Sequence, residues 1–118
     1  MDPISSPSEH DVLIVVDVQN DFCAGGPLPT VKGAAIAATL STVARAFAAT
    51  SAAVLTTQDW HPANHISFKG QGGSLPPHCV QDTAGAQLHP ALELPANAIN
   101  VKKGANPARD TYSGFVES

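Results

Sequence analysis

Residues 12–16 read VLIVV, and an aspartate, Asp17, follows at once. The run is short, mostly β-branched, and does not alternate with polar residues. That pattern predicts a strand buried on both faces of a parallel sheet. Residues 33–49, GAAIAATLSTVARAFAA, place Ile36, Leu40, Val43, Ala44 and Phe47 at helical spacing and predict an amphipathic helix. AAVLTTQD (52–59) reads as a second apolar strand, and NAINVKKG (97–104) as a third, with Gly104 as its stop. Strand, helix, strand, long loop and strand make the start of a βαβ pattern, so the predicted class is α/β.

The chain has 118 residues, enough for one domain, with 43% hydrophobic and 14% charged residues. That balance predicts a globular chain rather than a disordered one. Net charge is −4 and the Lys and Arg residues are scattered. No basic stripe exists, which argues against nucleic acid or an anionic membrane as partner. No apolar run is long enough to span a bilayer. Residues 1–10 are polar, lack the basic start and apolar stretch of a secretion signal, and read as a flexible lead-in. Cys23 and Cys79 are therefore expected to be reduced thiols in a cytoplasm.

Ligands of open α/β sheets bind beyond the carboxyl ends of the strands. Asp17, Asp59 and Lys103 lie at those ends in all three predicted strands. A carboxylate closing a buried strand is costly unless paired, so Asp17 is either a structural group bonding the QND turn or an acid/base partnered by Lys103. The stretch TTQDWHPANHISF (56–68) adds Asp59, His61 and His65, and His78 follows in LPPHC. One carboxylate and three imidazoles suit Zn²⁺, Fe²⁺ or Mn²⁺. The rival reading is a polar surface loop. A connection as long as 60–90 in a compact domain is usually functional or stapled by a metal. His10 and His89 read as incidental, and the two cysteines as packing residues rather than nucleophiles.

Four motifs in order, LIVVDVQNDFCAGG, TTQDWHPANHISF, LPPHCVQDTAGAQLHP and VKKGANPARDTYSGF, resemble the nicotinamidases (pyrazinamidases) of the isochorismatase-like hydrolases. The resemblance runs from about Val12 to Phe115 and implies a three-layer α/β/α fold around a mostly parallel sheet. Residues 11–118 would be the N-terminal part of one such domain. It implies hydrolysis of nicotinamide, and of pyrazinamide, to the acid and ammonia, an activity that belongs to NAD salvage and pyridine nucleotide biosynthesis. Asp17 matches the family's catalytic aspartate and Lys103 its catalytic lysine. Asp59, His61, His65 and His78 match the ligands of one divalent metal ion, zinc foremost. Phe22 matches an aromatic residue lining the substrate pocket, and Tyr112 a tyrosine near it.

Two departures stand out. Leu75 occupies a position where the family usually carries a tryptophan that walls the substrate ring. The family's nucleophilic cysteine lies beyond YSGF, whereas this sequence stops at Ser118. The expectation is therefore a partner in the form of the remaining C-terminal half or a second chain, together with homo-oligomerisation of the exposed sheet. The competing readings are a non-catalytic metal-binding module and a sister hydrolase of the same superfamily without the metal.

Overall fold

The computed structural model describes residues 6–115. The expectations for residues 1–5 of the lead-in and for residues 116–118 lie outside the described residues. Three strands form one sheet: β1 (Val12–Val16), β2 (Ala53–Asp59) and β3 (Ile99–Lys103), in the order β1-β2-β3. Both pairings are parallel, with Val16 opposite Thr57 and Asp59 opposite Lys103. A parallel pair needs a long crossover. Helix α1 (Gly33–Ala48) provides the first. The second, between β2 and β3, holds no α-helix, only single 3-10 turns at Lys69–Gln71 and Ala84–Ala86. Irregular backbone there is held by its own hydrogen bonds, and it carries the polar motifs.

The register sorts the side chains onto two faces. Leu13 and Val15 share one face with Val54 and Thr56. The core on that face joins Val15, Val18 and Ala37, with Leu13, Leu40, Leu92 and Leu94 packed around them. Within α1 the buried positions are Ala37, Ser41 and Ala44. Ile36 is exposed, so the buried stripe is rotated from the one expected. Small residues let the helix lie close to the sheet. The Ser41 hydroxyl shares its one proton between the carbonyls of Ala37 and Ala91 and accepts from the Glu93 N–H, which pins the chain after the long loop to the helix.

The other face corrects the expectation of a strand buried on both sides. Val12, Ile14, Val16 and Ile99 all stand exposed, Val16 at 60% and Ile99 at 55%. Helix α1 lies on the opposite face, and the segment around Gly114 approaches this one, where a Cβ would meet Thr57 and Val101. The described residues thus supply the sheet and one helical layer. β1 is also an edge strand. Among the described residues no helix is long and apolar enough to cross a membrane.

A flat apolar face beside an unpaired strand edge favours association. The 118-residue chain is expected to self-associate in light scattering, and Val12→Lys to reduce that association. A monodisperse monomer would contradict this reading.

Candidate active site and metal centre

The carboxyl ends of the strands meet as expected, and their side chains converge on one ammonium group. Lys103 is 2% exposed, and its Nζ lies 2.9 Å from Asp17 Oδ2 and also donates to Asp59 Oδ1. Asp17 sits just past β1 with a positive φ of 54°, a conformation aspartate tolerates better than most residues. Its backbone N–H donates to the Thr57 carbonyl at 3.1 Å, and its Oδ1 accepts the Thr57 hydroxyl at 2.7 Å. The turn out of β1 therefore aims the carboxylate back across the end of β2. Register does the rest, because Asp59 and Lys103 are direct neighbours across the β2–β3 ladder.

Asp59, His61 and His78 are all buried, and each offers a ligand atom within 4.8 Å of the others. His61 is held by strand-like pairing, its N–H donating to Cys79 O and its carbonyl accepting from Gln81 N. That pairing is what brings His78, thirteen positions after His65 in sequence, to the same point. The His61 Nδ1 faces the Gly104 carbonyl at 2.8 Å, and the His78 Nδ1 faces the Pro76 carbonyl at 2.9 Å. A carbonyl at Nδ1 fixes the proton there and leaves Nε2 as the ligand atom, the usual arrangement behind metal-binding histidines. Two imidazoles and a carboxylate form a borderline N₂O donor set that fits a divalent ion such as zinc.

His65 sits beside this triad. Its ring stacks on His61 at 4.0 Å between centroids. Its Nδ1 pairs with Ser67 Oγ at 2.7 Å, and its Nε2 with the Arg109 carbonyl at 3.0 Å. Phe68, 1% exposed, packs against all three imidazole rings and makes an apolar floor. Phe22 faces the site, with its ring centroid 5.7 Å from that of His78. Tyr112 does not converge on it in the same way, and its side chain is 80% exposed.

Burial opposes charge throughout the cluster, and direct partners decide the outcome. Burial disfavours ionised Asp59, but hydrogen bonds from His61 and Lys103 outweigh it and lower its pKa. Burial likewise opposes the Lys103 ammonium, yet Asp59 and Asp17 raise its pKa. His61 is raised by Asp59 and the Gly104 carbonyl against its own desolvation. His65 is lowered by burial and by its His61 neighbour. Burial raises the Cys23 thiol, and burial together with the charges of Asp59, Asp21 and Asp17 raises the Cys79 thiol. Both thiols are buried and free, so neither is poised to attack.

Some residues that build the site carry no sequence signal of their own. Thr57 orients Asp17 only because register places it there. Asp21 Oδ2 accepts the Cys79 N–H at 2.7 Å, which anchors the residue next to His78 while Cys79 holds a positive φ of 49°. Gly104 ends β3, as its place in the sequence predicts, and it does more. Its φ is +72°, and a Cβ would stand 2.5 Å from His61 Cε1.

Gly104→Ala is therefore expected to cost about 1–3 kcal/mol of stability through strain and to push the His61 ring off the Gly104 carbonyl. Thermal unfolding and the ring-nitrogen NMR shifts of His61 measure these effects, and an unchanged ring would contradict the assignment. Lys103→Met is expected to cost about 3–5 kcal/mol at neutral pH, because it strands two carboxylates in a buried site. The raised Lys103 pKa means its contribution is complete below the unfolded lysine value of about 10.4 and lost as pH rises through the folded value. The lowered Asp59 pKa means its contribution is complete above the unfolded value of about 3.9 and lost as pH falls through the folded value. The penalty of Lys103→Met should accordingly shrink on acidification, as unpaired carboxylates take up protons. Unfolding curves across pH test this, and a pH-independent penalty would contradict it.

Known proteins resemble this chain along most of its length. The isochorismatase domain matches residues 11–117. The chain is 40% identical over 121 residues to the nicotinamidase of Escherichia coli, covering 90% of this chain and 57% of that protein. It is 45% identical over 106 residues to the nicotinamidase/pyrazinamidase of Mycobacterium tuberculosis, covering 87% and 55%. Among solved structures, the pyrazinamidase of Pyrococcus horikoshii in complex with zinc superposes with a TM-score of 0.84 at 44% identity, over 88% of this chain and 57% of that one. An L. infantum structure in complex with nicotinate superposes with a TM-score of 0.82 at 42% identity, over 97% and 57%. The chain thus spans little more than half the length of the proteins it resembles. With that match over nearly its whole length, the chain belongs to the isochorismatase domain family.

Proposed function

We propose that this chain supplies the acid–base and metal-binding half of an amidohydrolase that converts nicotinamide, and pyrazinamide, to the acid and ammonia. The observation that carries the reading is the buried Lys103 ammonium shared between Asp17 and Asp59, with the His61 and His78 rings beside it. The names of its relatives, nicotinamidases and pyrazinamidases, one bound to zinc and one structure bound to nicotinate, support the substrate class. Residues 11–118 are taken as part of a single domain, and the attacking cysteine is placed in polypeptide outside this sequence. That agrees with the raised pKa values of Cys23 and Cys79, which leave both as buried thiols.

In this mechanism Asp17 accepts the proton of the attacking thiol, and the thiolate adds to the amide carbon. Asp17 returns the proton to the departing nitrogen, ammonia leaves, and the acyl group stays on sulfur as a thioester. Water, deprotonated toward Asp17, then releases the acid and restores the thiol. Lys103 holds Asp17 ionised and in place through the 2.9 Å contact. Thr57 fixes the other carboxylate oxygen. Asp59, His61 and His78 would hold the divalent ion, zinc first among the candidates, with His65 as a fourth ligand assigned by resemblance. When bound, the ion would supply a Lewis-acidic anchor for the pyridine nitrogen and for water. Phe22 would wall the ring from the His78 side, and Tyr112 enters the reading by resemblance alone. Two free buried thiols suit a reducing cytoplasm, and nicotinate would re-enter pyridine nucleotide salvage.

The full-length protein, loaded with zinc, should release ammonia from nicotinamide and lose that activity on chelation. Asp17→Asn should lower kcat by about 10²–10⁴-fold. Ammonia release that survives complete metal removal would favour a sister hydrolase of the family. No release from the metal-loaded protein would overturn the proposal.

A further inference from the structure

We infer that Gln19 is a positioning residue that takes the place of a missing stretch of β1 and holds the Asp59 peptide in register. β1 leaves the sheet at Asp17, whose N–H makes the last bond to the Thr57 carbonyl. Along a strand, residues two apart present their N–H and C=O to the same side. Asp59 follows Thr57 by two, so its N–H and C=O both point at the gap β1 has vacated. The Gln19 side chain fills that gap. Its Oε1 accepts the Asp59 N–H at 2.9 Å, and its Nε2 donates to the Asp59 carbonyl at 2.8 Å. The second Nε2 hydrogen goes to the Ala86 carbonyl at 2.8 Å. Gln19 is 0% exposed, so its amide is fully committed.

A primary amide has the same donor and acceptor pair as a peptide, which is why it can continue a ladder where the backbone turns away. The result is that the backbone of Asp59 stays extended and clamped on both sides, by Gln19 on one and β3 on the other. Its carboxylate then meets Lys103 and His61 without a search. The inference rests on the proposed metal-binding reading of Asp59, and it adds a residue outside the ligand set.

Gln58 provides the control. Its Nε2 donates to the same Ala86 carbonyl at 2.7 Å, and it is buried as well, yet the Asp59 N–H and C=O bond to the Gln19 amide instead. The test is zinc affinity of the full-length protein, measured by competition with a chromophoric chelator, alongside amide exchange of the Asp59 N–H. Gln19→Met should weaken zinc binding by about 10–100-fold, the range for groups that support metal ligands, and speed Asp59 exchange. Gln58→Met should lose comparable thermal stability while keeping the wild-type zinc affinity. Gln19→Glu, which keeps the acceptor and the volume but not the donors, should weaken binding in the same direction if Gln19→Met does not fold. Wild-type zinc affinity in a folded Gln19 variant would overturn the inference, as would an equal loss in Gln58→Met. A wild-type protein that takes up no zinc would overturn the metal reading itself, and this inference with it.

Discussion

A single buried ammonium organises this molecule. Lys103 is nearly inaccessible to water, and burying a charge that deeply is costly unless it is paired and hydrogen-bonded. Asp17 and Asp59 meet that demand together, and they come from the ends of two other strands. Each of the three strands must therefore stop at a particular residue and in a particular register. The kink at Asp17, the Asp59–Lys103 pairing and the left-handed Gly104 after β3 all serve that one junction. The His61 and His78 rings then close the open side, each fixed by a backbone carbonyl.

The two faces of the sheet have unequal roles. One is packed under α1 with small helix residues against Leu13, Val15 and Val54. The other continues the plane of Thr57, Asp59 and Lys103 as bare apolar surface, from Val12 to Val16 and across to Ile99. The buried charged cluster and the exposed apolar surface share a face, so whatever covers the apolar part also walls the cluster. In the proposed function, the additional polypeptide found in the longer relatives would have that position.

Much of this was legible in the amino-acid order. Apolar, β-branched runs fix the three strands to within a residue or two, because few other local structures suit them. The rim assignment of Asp17, Asp59 and Lys103 followed from the strand ends alone, since parallel strands deliver their carboxyl ends to one side. The D-x-H spacing and His78 offered a candidate metal site against a surface-loop rival, and the structure brings Asp59, His61 and His78 together, but the spacing could not say which nitrogens would be free. What stayed hidden depends on contacts between segments distant in sequence. The rotation of α1 onto Ala37, Ser41 and Ala44 is a packing choice among small residues that a periodicity does not rank. The exposure of Val12, Ile14 and Val16 could not be read from a run that looks buried on both sides. Thr57, Asp21 and Gln19 act through bonds spanning 40 residues or more, and nothing local distinguishes them from ordinary polar residues. His65 shows the same limit: its spacing fits a ligand, while its Nε2 bond to the Arg109 carbonyl depends on where the segment after β3 passes.

In the proposed function, the strand ends and the long loop build one divalent-metal centre from imidazole and carboxylate beside the Lys103 pair. X-ray absorption spectroscopy of the zinc-loaded protein tests it most directly. The zinc should show a shell of nitrogen and oxygen neighbours at about 2.0–2.2 Å with the outer-shell scattering of at least two imidazoles. Sulfur in the first shell, at about 2.3 Å, or a protein that retains no zinc, would contradict it.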